Sequence, residues 1–271
     1  LGERDMDEAA FAEWVAPRDG EACRTRANRV GLWNVFAGFC VRRDIEAGSF
    51  RADVRLESDF VPHIYTDEEA SAVFSAADAG IAQRRSPYEP SLIMPAFVRL
   101  LYSTGLRFSE AAGLRWDDVD GRRLSVLGKG GKPRLVVMSA SMAEVLERYR
   151  GLRVGGGGGL VFCGREGGPL QNQLVGTWHR TLLDSAGVRR ADGAYPRLHD
   201  WRHTFAVGAL ARMDAAGVDV RAALPVPSRY MGHCGPKETE WYLRLTDEGR
   251  AGVLERMELY APHVAPGLGG V

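Results

Sequence analysis

The sequence predicts a mainly α protein with a small antiparallel β-sheet, an α+β fold. Three observations predict it. Apolar residues recur at helical spacing through most of the chain, the period drops to two only between about residues 120 and 138, and that stretch is interrupted by a glycine-rich turn. The chain has 271 residues, 45% hydrophobic and 26% charged, enough for a sizeable core and for two domains. We place the boundary near residue 61: a helical segment over 1–60, and a larger domain over 61–271 that includes a carboxyl-terminal helix and tail.

Taken in order, residues 7–16 and 22–47 carry Val30, Leu32, Trp33, Val35, Phe36 and Phe39 at helical spacing and predict packed helices. The extended segment Phe60-Val61-Pro62 then gives way to a helix whose cap is Thr66, with Asp67 to Glu69 in its first turn, where carboxylates favour the helix dipole. A long apolar helix follows from about Ser91 to Thr104, stopped by Gly105, and a short one starts near Ser109. DVDGRRLSVLGKGGKPRLVVMS alternates on both sides of GKGGKP and reads as a β-hairpin with Lys129 at its tip. Helices are expected at 140–150, 171–186, 198–213 and 237–259, with a short LVFC strand after the five glycines at 155–159. The chain opens on Leu1, which points to a shortened amino-terminal part.

Composition excludes several classes. No stretch approaches the ~18 to 20 apolar residues of a membrane span, and the acidic start is unlike a secretory leader, so a soluble protein is expected. The four cysteines form no CxxC pair, which favours a reducing cytoplasm. GKGGKP lacks the spacing of a phosphate-binding P-loop. Net charge is zero, but residues 121–203 hold 14 basic against 6 acidic side chains, a region suited to a polyanion. Only three of the 35 basic residues are lysine, and two of them, Lys129 and Lys132, stand in the predicted hairpin turn. Lysine differs from arginine in that its pKa can fall far enough to release a proton, so a site that keeps it has a use for proton transfer.

Besides the hairpin lysines, three motifs carry chemistry. In TGLRFSE, Arg107 sits between a helix-ending glycine and the start of the next helix, with Glu110 one turn on. Its planar fork suits two oxygens of one phosphate, and a solvated interhelical arginine is the plain alternative. In LHDWRHTF, His199 lies one turn from Arg202 and His203; ordinary packing, a zinc pair and an anion site are all open. YMGHCGPKETEWYL ends with His233 followed nine residues later by Tyr242.

Arg107, Lys129, the His199-x-x-Arg202 pair, His233 and Tyr242, in that order and spacing, resemble the tyrosine recombinase (phage integrase) family over about residues 60–260. The stretch from LPVPSRYMGH to ETEWYL is similar to recombinases of transposons and integrative elements more than to chromosome-dimer resolvases. The resemblance implies a tyrosine-recombinase-like catalytic domain after a partial helical core-binding, DNA-binding domain at 1–60. It makes Tyr242 the nucleophile, Arg107 and Arg202 the clamp on the scissile phosphate, Lys129 the hairpin lysine, His199 and His233 the two histidine positions, and Glu110 a brace. Lys132 and Arg134 are expected to contact DNA. The implied activity is cutting and rejoining of duplex DNA through a 3′-phosphotyrosyl link, without metal, ATP or other cofactor, by a homotetramer on paired specific sites that is a monomer or weak oligomer when free. Two alternatives share these residues: a nicking and closing enzyme of the type IB topoisomerase kind, and a DNA-binding accessory protein that has lost the reaction.

Overall fold

Thr66 opens the helix that leads into the larger part of the molecule, and its local chemistry is the one its sequence predicts. Its hydroxyl accepts from the Glu69 N–H at 3.2 Å while the Glu69 carboxylate accepts from the Thr66 N–H at 2.9 Å, a reciprocal capping box. The structure is a computed structural model that describes residues 6–52, 54, 61–81, 87–128, 131–153 and 159–232. The chain divides into two units, Leu1–Val61 and Pro62–Val271.

The first unit contains α1 (Glu8–Val15) and α2 (Cys23–Val41), packed on each other. Phe11 is buried against the rings of Trp33 and Phe50. The buried residues of α2 are Arg29, Ala37 and Cys40, while Leu32, Val35, Phe36 and Phe39 are exposed. The apolar spacing therefore identifies a helix here, but most of its stripe faces solvent instead of the expected packed interior.

The second unit is built around α4 (Pro90–Thr104), which packs against α3 (Asp67–Ala79), α6 (Ala140–Leu152), α7 (Asn172–Ala186) and α8 (Asp200–Ala215). Phe97, Phe162, Trp178 and Trp201 anchor the core. At its end Gly105 adopts φ +63°, and a Cβ there would sit 2.4 Å from the Phe205 ring, so only glycine lets α8 approach this closely. Leu106 follows, then α5 (Phe108–Ala112).

The sheet is antiparallel and has three strands, β1 (Val119–Asp120), β2 (Arg123–Leu127) and β3 (Pro133–Val137), in that spatial order. The expected hairpin is β2–β3, with Leu127 opposite Pro133, and β1 adds a short third strand through a turn at Gly121. The LVFC segment forms no strand; its region contributes isolated bridges, Arg115 to Leu160 and Cys163 to Pro169. Two short helices not anticipated from sequence, α9 (Val220–Ala223) and α10 (Pro225–Met231), follow α8. Pro225 and Pro227 are tolerated because both fall in the first turn of α10, where the N–H groups they lack have no helical partner. The helix expected at 237–259 lies outside the described residues. No helix among the described residues is long and apolar enough to cross a membrane.

Candidate active site

Three helix ends and one strand of the second unit bring charged groups together. The αL turn at Gly105 places Arg107 at the cap of α5, where its N–H donates to Glu110 Oε2 at 2.8 Å. The Arg107 fork then spreads. Nη1 donates to Glu110 Oε1 at 3.1 Å and reaches the Met231 carbonyl at 3.5 Å, and Nη2 donates to the Gly232 carbonyl at 3.1 Å.

Arg202, in the first turn of α8, is fully buried and aims at the same place. Its Nη1 donates to the Gly105 carbonyl at 2.6 Å and its Nη2 to the Met231 carbonyl at 2.5 Å. Arg107 and Arg202 therefore meet at one backbone oxygen. Two guanidinium groups are gathered there on backbone carbonyls, which supply dipoles, and Arg107 is also paired with the Glu110 carboxylate.

His199 caps α8 with an exposed edge, and its ring meets that of His203 edge-on at 4.8 Å between centroids. Crowding by its neighbours lowers its pKa below the usual imidazole value. The charges of Arg202, Arg197 and Arg107 lower it further, and Asp200 opposes them. His199 and the two arginines thus share one electrostatic environment.

Glu110 braces the locus. Its side chain is only 4% exposed, and Arg134 of β3 holds it in a fork-to-fork pair, Nη1 to Oε1 at 2.7 Å and Nη2 to Oε2 at 2.8 Å. Burial raises the Glu110 carboxyl, but the hydrogen bonds and charges of Arg134 and Arg107 outweigh it and hold the group below the ordinary carboxylate value. Arg134 Nε also donates to the Tyr230 carbonyl at 2.8 Å. Arg134 thus faces inward, 10% exposed, where the sequence reading expected a contact with DNA. Lys132 is exposed. A Cβ on Gly128 would lie 3.2 Å from Arg134 Nη1 and one on Gly232 3.1 Å from the same atom, so Gly128 and Gly232 both lie beside Arg134. Lys129, His233 and Tyr242 themselves lie outside the described residues.

Beside His199 opens a cleft of about 430 Å³ whose lining includes Phe108, Asn172, His179, Arg180 and Arg197. Behind it, the Trp201 indole N–H donates to His179 Nε2 at 3.1 Å, Tyr65 Oη lies 3.3 Å from the same nitrogen, and the Tyr65 ring stacks on Trp201 at 3.7 Å. Burial, helped by the charge of Arg180, lowers the His179 pKa to about 3, so this imidazole stays neutral and anchors the first turn of α8.

Sequence reasoning missed three contributors. The inward direction of Arg134 was legible, because it shares strand parity with buried Val136 and Met138. The His179–Trp201 anchor and the carbonyls at the end of α10 carry no side-chain signature that a motif search reads.

Residues 67–248 match the Phage integrase family. The chain belongs to the phage integrase family. The integrase/recombinase y4rB of Sinorhizobium fredii (strain NBRC 101917 / NGR234) is 35% identical to it over 210 residues, 73% of this chain and 66% of that protein. The tyrosine recombinase XerC of Xylella fastidiosa (strain M23) is 35% identical over 247 residues, 89% of this chain and 77% of the relative. The chain thus spans 66% of the length of the first relative and 77% of the second. Among solved structures, the Tn1549 transposon integrase in complex with circular-intermediate DNA is similar with a TM-score of 0.62 and 20% identity, covering 88% of this chain and 81% of that one. That likeness is one of fold, and it bears out the mainly α class with a small antiparallel sheet. Integrase-family relatives thus include an integrase and XerC at equal identity, and the neighbours in fold include a transposon integrase.

Proposed function

We propose that this chain is a site-specific DNA recombinase of mobile-element type, which cuts and rejoins duplex DNA through a 3′-phosphotyrosine at Tyr242. The observation that carries the reading is the convergence of Arg107 and Arg202 on one backbone oxygen beside His199. A phosphodiester gains negative charge on its non-bridging oxygens as a nucleophile attacks, and a preformed group of cations stabilises that charge without reorganisation. In this reading the scissile phosphate takes the guanidinium donors that now rest on the Met231 and Gly232 carbonyls, and His199 and His233 complete the cradle.

The Tyr242 phenol oxygen attacks phosphorus as its proton passes to solvent, the bond to the 5′-oxygen breaks, and Lys129 supplies the proton that turns the departing 5′-oxygen into a hydroxyl. The phosphate ester is conserved on tyrosine, so a new 5′-hydroxyl can reverse the step with no need for ATP, and the arginines supply the charge that a metal would. The first unit serves as a core-binding, DNA-binding domain. Lys132 contacts DNA from the hairpin, and a homotetramer on two paired sites in the cytoplasm carries out the exchange.

The test uses a nicked suicide substrate built from the DNA ends that flank the gene. The parent chain is expected to form a denaturant-resistant adduct and Tyr242→Phe none. Equal adduct from the Tyr242→Phe chain refutes the nucleophile assignment, and relaxation of supercoiled DNA without recombinant product from paired sites transfers the reading to a nicking and closing enzyme.

A further inference from the structure

Glu110 presents a difficulty for any phosphate cradle. A buried carboxylate hydrogen-bonded to Arg107 cancels the charge that Arg107 is there to provide, and it repels any phosphate that Arg107 would hold. Arg134 lies on the opposite side of that carboxylate, bidentate to both of its oxygens at 2.7 and 2.8 Å, whereas the Arg107 side chain touches one oxygen at 3.1 Å. The shorter, two-armed pair is the stronger one. We propose that Arg134 is a positioning residue for DNA cleavage: it neutralises Glu110, so that Glu110 orients Arg107 without consuming its charge.

The geometry gives Arg134 a second hold. Its third nitrogen, Nε, donates to the Tyr230 carbonyl at 2.8 Å, one residue before the Met231 carbonyl on which Arg107 and Arg202 meet. One guanidinium thus ties together the cap of α5, strand β3 and the end of α10. An arginine suits this role and a lysine does not, because three donors in one plane are needed at once. Strand parity agrees: Arg134 faces inward with Val136, on the side opposite exposed Leu135 and Val137.

This inference rests on the recombinase reading above, and the experiment separates the two. With the full chain and the nicked substrate, adduct formation is measured in a single turnover at saturating protein, and DNA affinity is measured as a function of salt. Arg134→Ala is expected to slow cleavage by saturated protein by on the order of 10-fold or more while leaving the salt slope of binding unchanged, since Arg134 touches no phosphate in this proposal. The informative variant is the double change Arg134→Ala with Glu110→Gln, which removes the unpaired carboxylate and should recover several-fold of the lost rate, an outcome that a purely structural role for Arg134 does not produce. Arg134→Lys keeps the charge without the fork and should fall between the parent and Arg134→Ala; it also decides the matter if the alanine variant does not fold, since a lysine variant equal to the parent overturns the need for the fork. A double variant no faster than Arg134→Ala overturns the proposal. So does an Arg134→Ala chain that cleaves at the parental rate when saturated but binds more weakly with a salt slope lower by about one, the signature of a phosphate contact. If the parent itself forms no adduct, it is the recombinase reading that fails.

Discussion

Each unit of the molecule buries an arginine–glutamate pair, and the two are used differently. In the first unit Arg29 faces Glu21 one to one, Nε to Oε1 at 2.8 Å and Nη2 to Oε2 at 2.5 Å, and its other donors close on the Trp14 and Ala16 carbonyls. Charge is matched and every arm turns inward, which makes the pair a clasp between α1 and α2. In the second unit Glu110 is shared by Arg107 and Arg134, and the free arms of Arg107 rest on neutral carbonyls. The difference teaches that stoichiometry decides use. One arginine per carboxylate satisfies a fold, whereas two per carboxylate leave positive charge over, which in the proposed recombinase reading is the charge that a phosphate uses.

The comparison breaks most visibly at Arg107. Arg107→Ala should lower the rate of adduct formation by about 10²-fold or more while the thermal midpoint moves little, because Arg134 still pairs with Glu110. Its counterpart is Glu21→Gln, which leaves Arg29 without a countercharge. It should lower the thermal midpoint and leave the cleavage rate of DNA-saturated protein unchanged. A slow Glu21→Gln enzyme with an intact fold, measured in the same single-turnover assay, ends the distinction between clasp and cradle.

Acid sharpens the comparison next. Hydrogen bonds from arginine hold both Glu21 and Glu110 below the ordinary carboxylate value, so what each contributes to stability is complete above an unfolded value near 4.5 and disappears only as pH falls through the lower folded value. His179 gives way earlier. The unfolded chain takes up a proton near pH 6.5 that the folded imidazole refuses until about 3, so stability should decline across that interval with a slope approaching ~1.4 kcal/mol per pH unit. Denaturant unfolding between pH 7 and 4 measures the slope, and His179→Gln should flatten it. An equally steep His179→Gln profile assigns the loss to other groups.

The legible parts of this molecule are those that act through spacing along the chain. The Thr66 cap, the Gly105 stop and the alternation either side of the GKGGKP turn each depend on residues within a few positions, and each forms where the sequence places it. Arg107, His199 and Arg202 were legible as side chains, and the structure gathers them. Two things were not legible. The apolar stripe on α2 announces a helix but not which way it faces, since Leu32 and Phe36 stay exposed while Arg29 goes inside. The backbone oxygens of Met231 and Gly232 are invisible to motifs because any residue supplies a carbonyl, and their usefulness depends on where α10 ends. Arg134 lies between these cases: composition suggests DNA, and parity suggests the interior.

The smallest effect concerns His199, and it distinguishes a cradle awaiting an anion from a clasp that is already complete. In the free protein burial of the ring is the first thing that disfavours a proton on it, the charges of Arg202, Arg197 and Arg107 add to that, Asp200 opposes them, and His203 packs edge-on beside it. A phosphate bound between the arginines offsets their charge and raises the His199 pKa toward or above its ordinary value. The complex then binds more protons than its separate parts, so DNA affinity must rise as pH falls through the imidazole range. One proton limits the change to at most about tenfold per pH unit, and partial occupancy makes a few-fold gain between pH 7.5 and 6.0 the expected result at fixed ionic strength. His199→Gln should abolish most of this dependence, while Glu21→Gln in the first unit should leave it intact, because a matched pair has no charge to offer an incoming phosphate. Affinity that falls on acidification, or a His199→Gln chain with the parental pH profile, means that the phosphate sits elsewhere and that the charge left over at Glu110 serves the fold alone.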